Sequence, residues 1–324
     1  MYTYEEFSKL INQYISEQKY ARSPQSLYDP IVYDLSLGGK RVRPILMLMA
    51  ANLYKKEIHT FLSTALAMEI CHNFTLLHDD LMDQSERRRG KPTVYKKWSA
   101  NAAILSGDAM LVLAYKYLAM TKSEKKNEIF DVFSDAILEV CEGQQFDMDY
   151  EHRDDVSEEE YITMIRLKTS VLLAASLKIG ALLGGASAKD ASALYNFGIQ
   201  IGLSFQLMDD YLDVYGDPQV FGKNLGGDIL CNKKTYLLIK ALEMADADTK
   251  LQLIGWINRD VFVNTEKIIA VTELYNKIGV KEFCLEKMKE YYNNGLQYLE
   301  KVSLPAEQKC ELKNLSERLL NRNM

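Results

Sequence analysis

Twice in this sequence an Asp-Asp-x-x-Asp cluster closes an apolar run. The first is Leu76-Leu77-His78-Asp79-Asp80-Leu81-Met82-Asp83, and the second is Phe205-Gln206-Leu207-Met208-Asp209-Asp210-Tyr211-Leu212-Asp213. On a helix, positions i and i+4 stack, so Asp79 lies over Asp83 and Asp209 over Asp213. Like charges so placed repel, and carboxylates among Leu and Met lose hydration. Divalent cations would remove both penalties. Mg2+ in particular takes one or two carboxylates, several waters and substrate phosphates. One cluster alone reads equally well as a solvated acidic helix end. Two in matching apolar contexts point to metal-assisted phosphate binding.

Cations accompany both clusters. Arg87-Arg88-Arg89-Gly90 follows the first, and Lys223, Lys233 and Lys234 follow the second. Arginine forks suit phosphate oxygens, whereas lysine acts as a point charge. Gly222, Gly226 and Gly227 would let backbone amides approach an anion. Near the N-terminus, Gly38-Gly39-Lys40-Arg41-Val42-Arg43-Pro44 reads as an anion site at a helix start. His72 lies seven residues before Asp79 and so shares its helix face. A lone histidine there is commonly a core residue, but the company of Lys40 and Arg43 favours anion binding. Lys168 and Thr169 interrupt the apolar run Ile162–Leu183, and Gln206 precedes the second cluster. Polar groups inside a buried helix need partners, and a substrate in the core could supply them.

Long helices are needed to hold such residues. The chain has 324 residues and only six prolines, none between Pro92 and Pro218, which suits uninterrupted helices. Ala102–Met120 carries Ile104, Leu105, Leu111, Val112, Tyr115 and Leu118 at helical spacing, and Tyr161–Leu183 and Leu194–Val214 are apolar nearly all round. No alternating strand pattern of useful length occurs. The first 19 residues predict an amphipathic helix rather than a signal peptide. Five dispersed cysteines without a Cys-x-x-Cys pair read as reduced, small core residues of an intracellular protein. A net charge of -6 gives no basic stripe for nucleic acid. No uncharged apolar run reaches the ~20 residues that span a bilayer; the richest, Val171–Ala188, contains Lys178. The expectation is therefore a cytoplasmic protein without stable membrane insertion.

The ordered set GGKRVRP, HNFTLLHDDLMDQSERRRGKPT, SGDAML, GQQFD, LKTS, FQLMDDYLD, GKNLGGD and NKKT, from Gly38 to about Tyr236, resembles the trans-isoprenyl diphosphate synthases, or polyprenyl synthetases. The resemblance implies an all-α, orthogonal bundle of long helices around a deep central cavity, one domain over residues 1–324, and a homodimer. It implies that Asp79, Asp83 and Asp209 bind Mg2+, with Mn2+ as a substitute, supported by Asp80, Asp210 and Asp213. Arg88, Lys168, Thr169, Gln206 and Lys223 would contact the allylic substrate, and Lys233 would close over its diphosphate. Lys40, Arg43, His72 and Arg89 would hold isopentenyl diphosphate. Arg87 receives no role.

The implied reaction follows from charge. Ionisation of an allylic diphosphate gives a carbocation and pyrophosphate, and metal ions and cations stabilise the leaving group. Lys168, Thr169 and Gln206 would act at this step, the last two through their hydroxyl and carbonyl dipoles. The double bond of isopentenyl diphosphate then attacks, and loss of a proton completes a five-carbon extension. In the family, bulk five and four residues before the first aspartate tends to limit chain length. Here those positions are Phe74 and Thr75, one aromatic at the earlier position, which suits geranylgeranyl diphosphate with farnesyl diphosphate as intermediate or co-product. Alternatives are a farnesyl or longer polyprenyl diphosphate synthase, a class I terpene cyclase and a non-catalytic synthase-like subunit. A cyclase would not need the second diphosphate site at Lys40, Arg43 and His72, and a non-catalytic subunit typically lacks one Asp motif. A histidine-based phosphohydrolase fits poorly with four histidines in all.

Overall fold

The computed structural model describes residues 2–217 and 225–320. Among them the regular structure is helical, apart from one two-residue ribbon. Spatial contacts group the chain into two compact units. The first comprises Met1–Ile137, Ala175–Tyr195 and Val302–Leu312; the second comprises Leu138–Ala174, Asn196–Lys301 and Lys313–Met324.

In the first unit, α1 (Tyr4–Glu17) starts at a capping box formed by Thr3 and Glu6, and buries Phe7, Ile11 and Ile15. This i, i+4 stripe is the amphipathic pattern expected for the N-terminus. Helices α2 (Gln25–Ser36) and α3 (Val42–Asn52) flank the Gly38-Gly39 turn. Helix α4 (Leu62–Met82) is buried along most of its length and ends in the first aspartate cluster. Its main neighbour is α6 (Ala100–Ala119), which follows the short α5 (Val94–Lys97) and is capped by the Ser99 hydroxyl at Ala102 N. The ribbon pairs Arg87–Arg88 with Lys91–Pro92. Its turn residues, Arg89 and Gly90, both have positive φ, 52° and 75°, as a tight two-residue hairpin turn requires.

The second unit takes α7 (Lys126–Glu151) from Leu138 on, all of α8 (Glu158–Ile165), α9 (Val171–Gly184) up to Ala174, and α10 (Ala188–Tyr215) from Asn196 on. Between α8 and α9 lies a π turn, Arg166–Ser170, which carries Lys168 and Thr169. Two glycines let neighbouring backbone approach it. A Cβ at Gly143 would lie 2.3 Å from the Lys168 nitrogen, and one at Gly202 would lie 2.6 Å from Ser170 Cα. Such π turns place an extra residue in the helix and re-aim side chains, often at functional sites. The helices α11 (Gly227–Leu230), α12 (Tyr236–Met244), α13 (Ala247–Ile257), α14 (Asn264–Ile278) and α15 (Val280–Glu300) follow.

One expectation gains a qualification and one needs correction. Ala100–Ala119 and Glu158–Gly184 are each long and apolar enough to cross a membrane, by length and composition. Both contain charged residues, so the absence of a long uncharged run stands; 83% of the most apolar window of Glu158–Gly184 is buried in protein. The cysteines also divide: Cys71 and Cys284 are core residues, whereas Cys141, Cys231 and Cys310 are exposed. A thiol is small enough for either face, so its type alone does not place it.

Candidate active site

In the first unit, α4 delivers Asp79, Asp80 and Asp83 within its last turn and C-cap. Asp80 is buried, with 4% of its surface exposed. Arg88 grips it with both prongs, Nε to Oδ2 at 2.7 Å and Nη2 to Oδ1 at 2.7 Å, and lies 3.8 Å from Asp79 Oδ2. Burial works against the Arg88 charge, but Asp80 and Asp79 outweigh it and hold the guanidinium above its usual range. The loop that delivers Arg88 is tied by Thr93, whose hydroxyl donates to Ser85 O at 2.7 Å. Asp79 and Asp83 keep accessible surface, one helical turn apart.

The cations assigned to isopentenyl diphosphate also meet in this unit. Arg43 Nη1 lies 3.0 Å from His72 Nε2. Arginine can only donate, so His72 accepts at Nε2 and is neutral, with its proton on Nδ1. Burial, and then Arg43, press its pKa well below the ordinary value. Arg89 donates through Nη1 to Gly38 O. Its guanidinium occupies the place of a Gly39 side chain, since a Cβ there would lie 2.7 Å from Cζ. Gly38 and Gly39 have φ of 79° and 130°, so both room and backbone conformation call for glycine. Lys40 is exposed on the same turn, its carbonyl receiving the Tyr4 hydroxyl at 2.8 Å. Arg87, to which the resemblance assigns no role, stays exposed and donates to Gly90 O at 3.3 Å within its own turn.

Phe74 is buried and presents its ring edge-on to His78 at 5.3 Å, while the Thr75 hydroxyl is tied back to His72 O at 2.8 Å. Gly107 of α6 leaves space for the His78 ring: a Cβ there would lie 2.1 Å from Nε2.

In the second unit, α10 carries Gln206, Asp209, Asp210 and Asp213. Asp210 is buried and takes hydrogen bonds from Tyr161 OH, through Oδ2, and from Gln206 Nε2, at 3.0 Å to Oδ1. Gln206 Oε1 in turn accepts the Thr169 hydroxyl at 2.8 Å. Burial, and then the charge of Asp228, push the Asp210 carboxyl up to about 7. Asp213 Oδ2 accepts Asp228 N at 2.9 Å, which anchors the start of α11. Asp209 keeps accessible surface. Lys168 Nζ and Lys233 Nζ both reach Asp147 Oδ2, at 2.6 and 3.7 Å. Burial would raise the Asp147 pKa, but Lys233 and Lys168 hold it below the carboxylate range. Two lysines assigned to one diphosphate are thus gathered by a shared anion. Lys223 lies outside the described residues.

These donors fit Mg2+. They are hard carboxylate oxygens, and in each cluster the middle aspartate is buried while the outer two keep accessible surface. Among the described residues, no three acidic, histidine or cysteine side chains converge on one point. Mg2+ does not ask for a closed cage, because waters and substrate phosphates complete its octahedron.

Several contributors escape sequence reading. Arg41 looks like one more anion-binding cation. It is instead 4% exposed and bound to Glu69 Oε1 at 2.6 Å and Leu35 O at 2.9 Å, pinning the loop of Lys40 to α4. Asp147 sits inside GQQFD, and Tyr161 opens an apolar run. Nothing in either local sequence names their distant partners.

The polyprenyl synthetase family model matches residues 24–277. The chain is 39% identical to the geranylgeranyl diphosphate synthase of Methanosarcina mazei over 82% of each protein. It is 41% identical to a short chain isoprenyl diphosphate synthase of Methanocaldococcus jannaschii over 76% of each. A crystal structure of a geranylgeranyl pyrophosphate synthase superposes with a TM-score of 0.95 at 42% identity, covering 100% of both chains.

Proposed function

The chain belongs to the polyprenyl synthetase family, and from that premise we propose that it joins isopentenyl diphosphate head to tail to allylic diphosphates, with Mg2+, and releases mainly geranylgeranyl diphosphate. It is a short-chain trans-prenyltransferase and has the all-α isoprenoid synthase fold. The observation that carries the fuller reading is the repeated arrangement at both clusters: a buried, engaged central aspartate flanked by two accessible ones, with cations in the same unit.

In this reading Asp79, Asp83 and Asp209 hold Mg2+, with Asp80, Asp210 and Asp213 supporting. Bound Mg2+ supplies charge neutralisation for the departing diphosphate. Arg88, Lys168 and Lys233 bind that diphosphate. Thr169 and Gln206, locked together by their hydrogen bond, orient oxygen dipoles toward the developing carbocation. Lys40, Arg43, His72 and Arg89 hold isopentenyl diphosphate, and neutral His72 offers Nδ1–H as a donor. The proton lost after coupling passes to the departing pyrophosphate.

We read residues 1–324 as one catalytic domain, supported by a family match that includes segments of both units. A cytoplasmic homodimer completes the proposal. Its dimerisation is supported by Ile104, Leu105 and Val112 of α6, which are 44, 59 and 61% exposed; sedimentation would test it. Chromatography of products from labelled isopentenyl diphosphate and allylic primers tests the activity. With Mg2+ the twenty-carbon product should dominate, and excess chelator should abolish condensation. Full condensation in chelator would overturn the metal role, and a fifteen-carbon end product would overturn the length assignment.

A further inference from the structure

Lys267 lies beyond every recognised motif, on α14, and only 1% of its surface is exposed. Its ammonium donates to Asn232 Oδ1 at 2.8 Å and to Leu230 O at 3.3 Å. It also stands 4.3 Å from the centre of the Phe262 ring. Two neutral oxygens and a ring face hold a buried cation, with no carboxylate in this set. Burying a charge this way is costly unless every donor is used, and an apolar side chain would fill a helix face at less cost. The ammonium therefore has a specific task, and its acceptors show what it is.

Both oxygens belong to the segment that leads into Lys233. Leu230 ends the four-residue helix α11, where carbonyls have no helical partner. Asn232 has φ 52°, a left-handed conformation, and its Nδ2 donates to Ile257 O at 3.0 Å at the end of α13. From there the backbone is determined: Lys233 N donates to Asp228 O at 2.9 Å, and Thr235 N to Lys233 O at 2.8 Å. Thr235 then caps α12 through Leu238 N. Asn232 is thus gripped from two helices, α13 and α14, and the next residue is Lys233, whose Nζ reaches Asp147.

We propose that Lys267 and Asn232 form a positioning clamp that presets Lys233 for the leaving diphosphate of the allylic substrate. The inference rests on the role assigned to Lys233 above. The clamp fixes the loop before substrate arrives, so binding need not order it. It acts on one diphosphate only, which separates it from a general contribution to folding.

The test measures KM for each substrate separately, kcat and Tm in Lys267→Met, Lys267→Arg, Asn232→Gly and Lys233→Ala. Lys267→Met should raise the allylic KM about tenfold and leave the isopentenyl KM within about twofold. Lys267→Arg, which keeps the charge and donors, should recover part of the loss. Adding Lys267→Met to Lys233→Ala should cost little more than Lys233→Ala alone, because the clamp acts through that lysine. Asn232→Gly tolerates the left-handed turn and removes the grip, so it supplies the same signature if Lys267→Met fails to fold. A rise in both KM values together, or additive losses in the double variant, would overturn the clamp. If Lys233→Ala itself leaves the allylic KM unchanged, the role of Lys233 is wrong instead.

Discussion

The middle carboxylate of the first cluster is held by a cation and that of the second by neutral donors. Asp80 meets the Arg88 fork, whereas Asp210 meets Tyr161 and Gln206. Both aspartates are buried and both follow the same sequence pattern. The first therefore keeps its charge balanced by protein alone. The second retains a proton up to about pH 7, under burial and the nearby Asp228 charge. One motif thus carries two electrostatic solutions. The first middle carboxylate is paired by a guanidinium, while the second is held by neutral donors, with the Lys233 charge only partly offsetting burial and the Asp228 charge.

The harshest comparison removes the metal-facing aspartates. Asp79→Ala and Asp209→Ala should each lower kcat by about a thousandfold or more, since a metal that neutralises the leaving group is worth several kcal/mol. Single-turnover kinetics with saturating substrates would check this. Near-normal turnover in either variant would make that cluster structural and end the equivalence of the pair. The isopentenyl site comes next. Arg43→Ala should raise the isopentenyl KM by about a hundredfold and His72→Ala by about tenfold, with allylic KM little changed, as losses of charged and neutral hydrogen bonds differ. Equal losses for both substrates would contradict two separable sites.

Stability separates the middle aspartates more gently. Asp80→Asn leaves Arg88 poorly paired and should cost about 3 kcal/mol, the scale for losing one partner of a buried ion pair. Asp210→Asn should do the opposite in metal-free protein at pH 8. The folded pKa of Asp210 lies above the unfolded one, so the native state binds more protons between about pH 4 and 7. Metal-free stability must then fall as pH rises through that window, and the asparagine should flatten the fall. Asp34, buried and likewise pushed up to about 7 by desolvation, contributes a further slope of the same sign. His72 works in reverse: its folded pKa is depressed, so its contribution is present above about pH 6.5 and is lost as pH drops. Thermal melts from pH 4 to 8 with chelator would measure these slopes. Equal responses of Asp80→Asn and Asp210→Asn would erase the distinction between the clusters.

Helical period placed both clusters on helix ends, and the missing prolines anticipated the long helices around them. The Gly-Gly before Lys40 was also legible, because positive φ is a local demand. What could not be read is pairing across sequence distance. Arg41 sits among motif cations yet binds Glu69 in the core; Asp147 gathers lysines 21 and 86 residues away. The π turn at Arg166–Ser170 was equally hidden, since Gly143 and Gly202, which permit it, belong to other helices. Lys267 gave no signal at all, because its acceptors are a helix-end carbonyl and one asparagine.

The mildest comparison is between a residue that bears on chemistry and one that bears on product size within the same helix α4. Phe74 stands one turn before the cluster, and its ring edge meets His78. His78 is held in turn by Ile104 O, 3.1 Å from Nε2, and by the close face of Gly107. Removing the Phe74 ring should therefore leave the imidazole in place and open space rather than let a neighbour fill it. Phe74→Ala should shift the main product from twenty carbons to twenty-five or more, with kcat for the first condensation nearly unchanged. The truncation will cost stability, about 3–5 kcal/mol for a buried phenyl ring, so assays belong well below the Tm, with Phe74→Leu as a milder companion. Thr75→Phe makes the reciprocal test. Its hydroxyl now returns to His72 O, and a second aromatic beside Phe74 should shorten the product to fifteen carbons. Chromatography of both variants reads the outcome directly. Longer products from one and shorter from the other would place the end of the growing chain against this turn of α4; unchanged distributions in both would leave Phe74 as core packing and move the length determinant elsewhere.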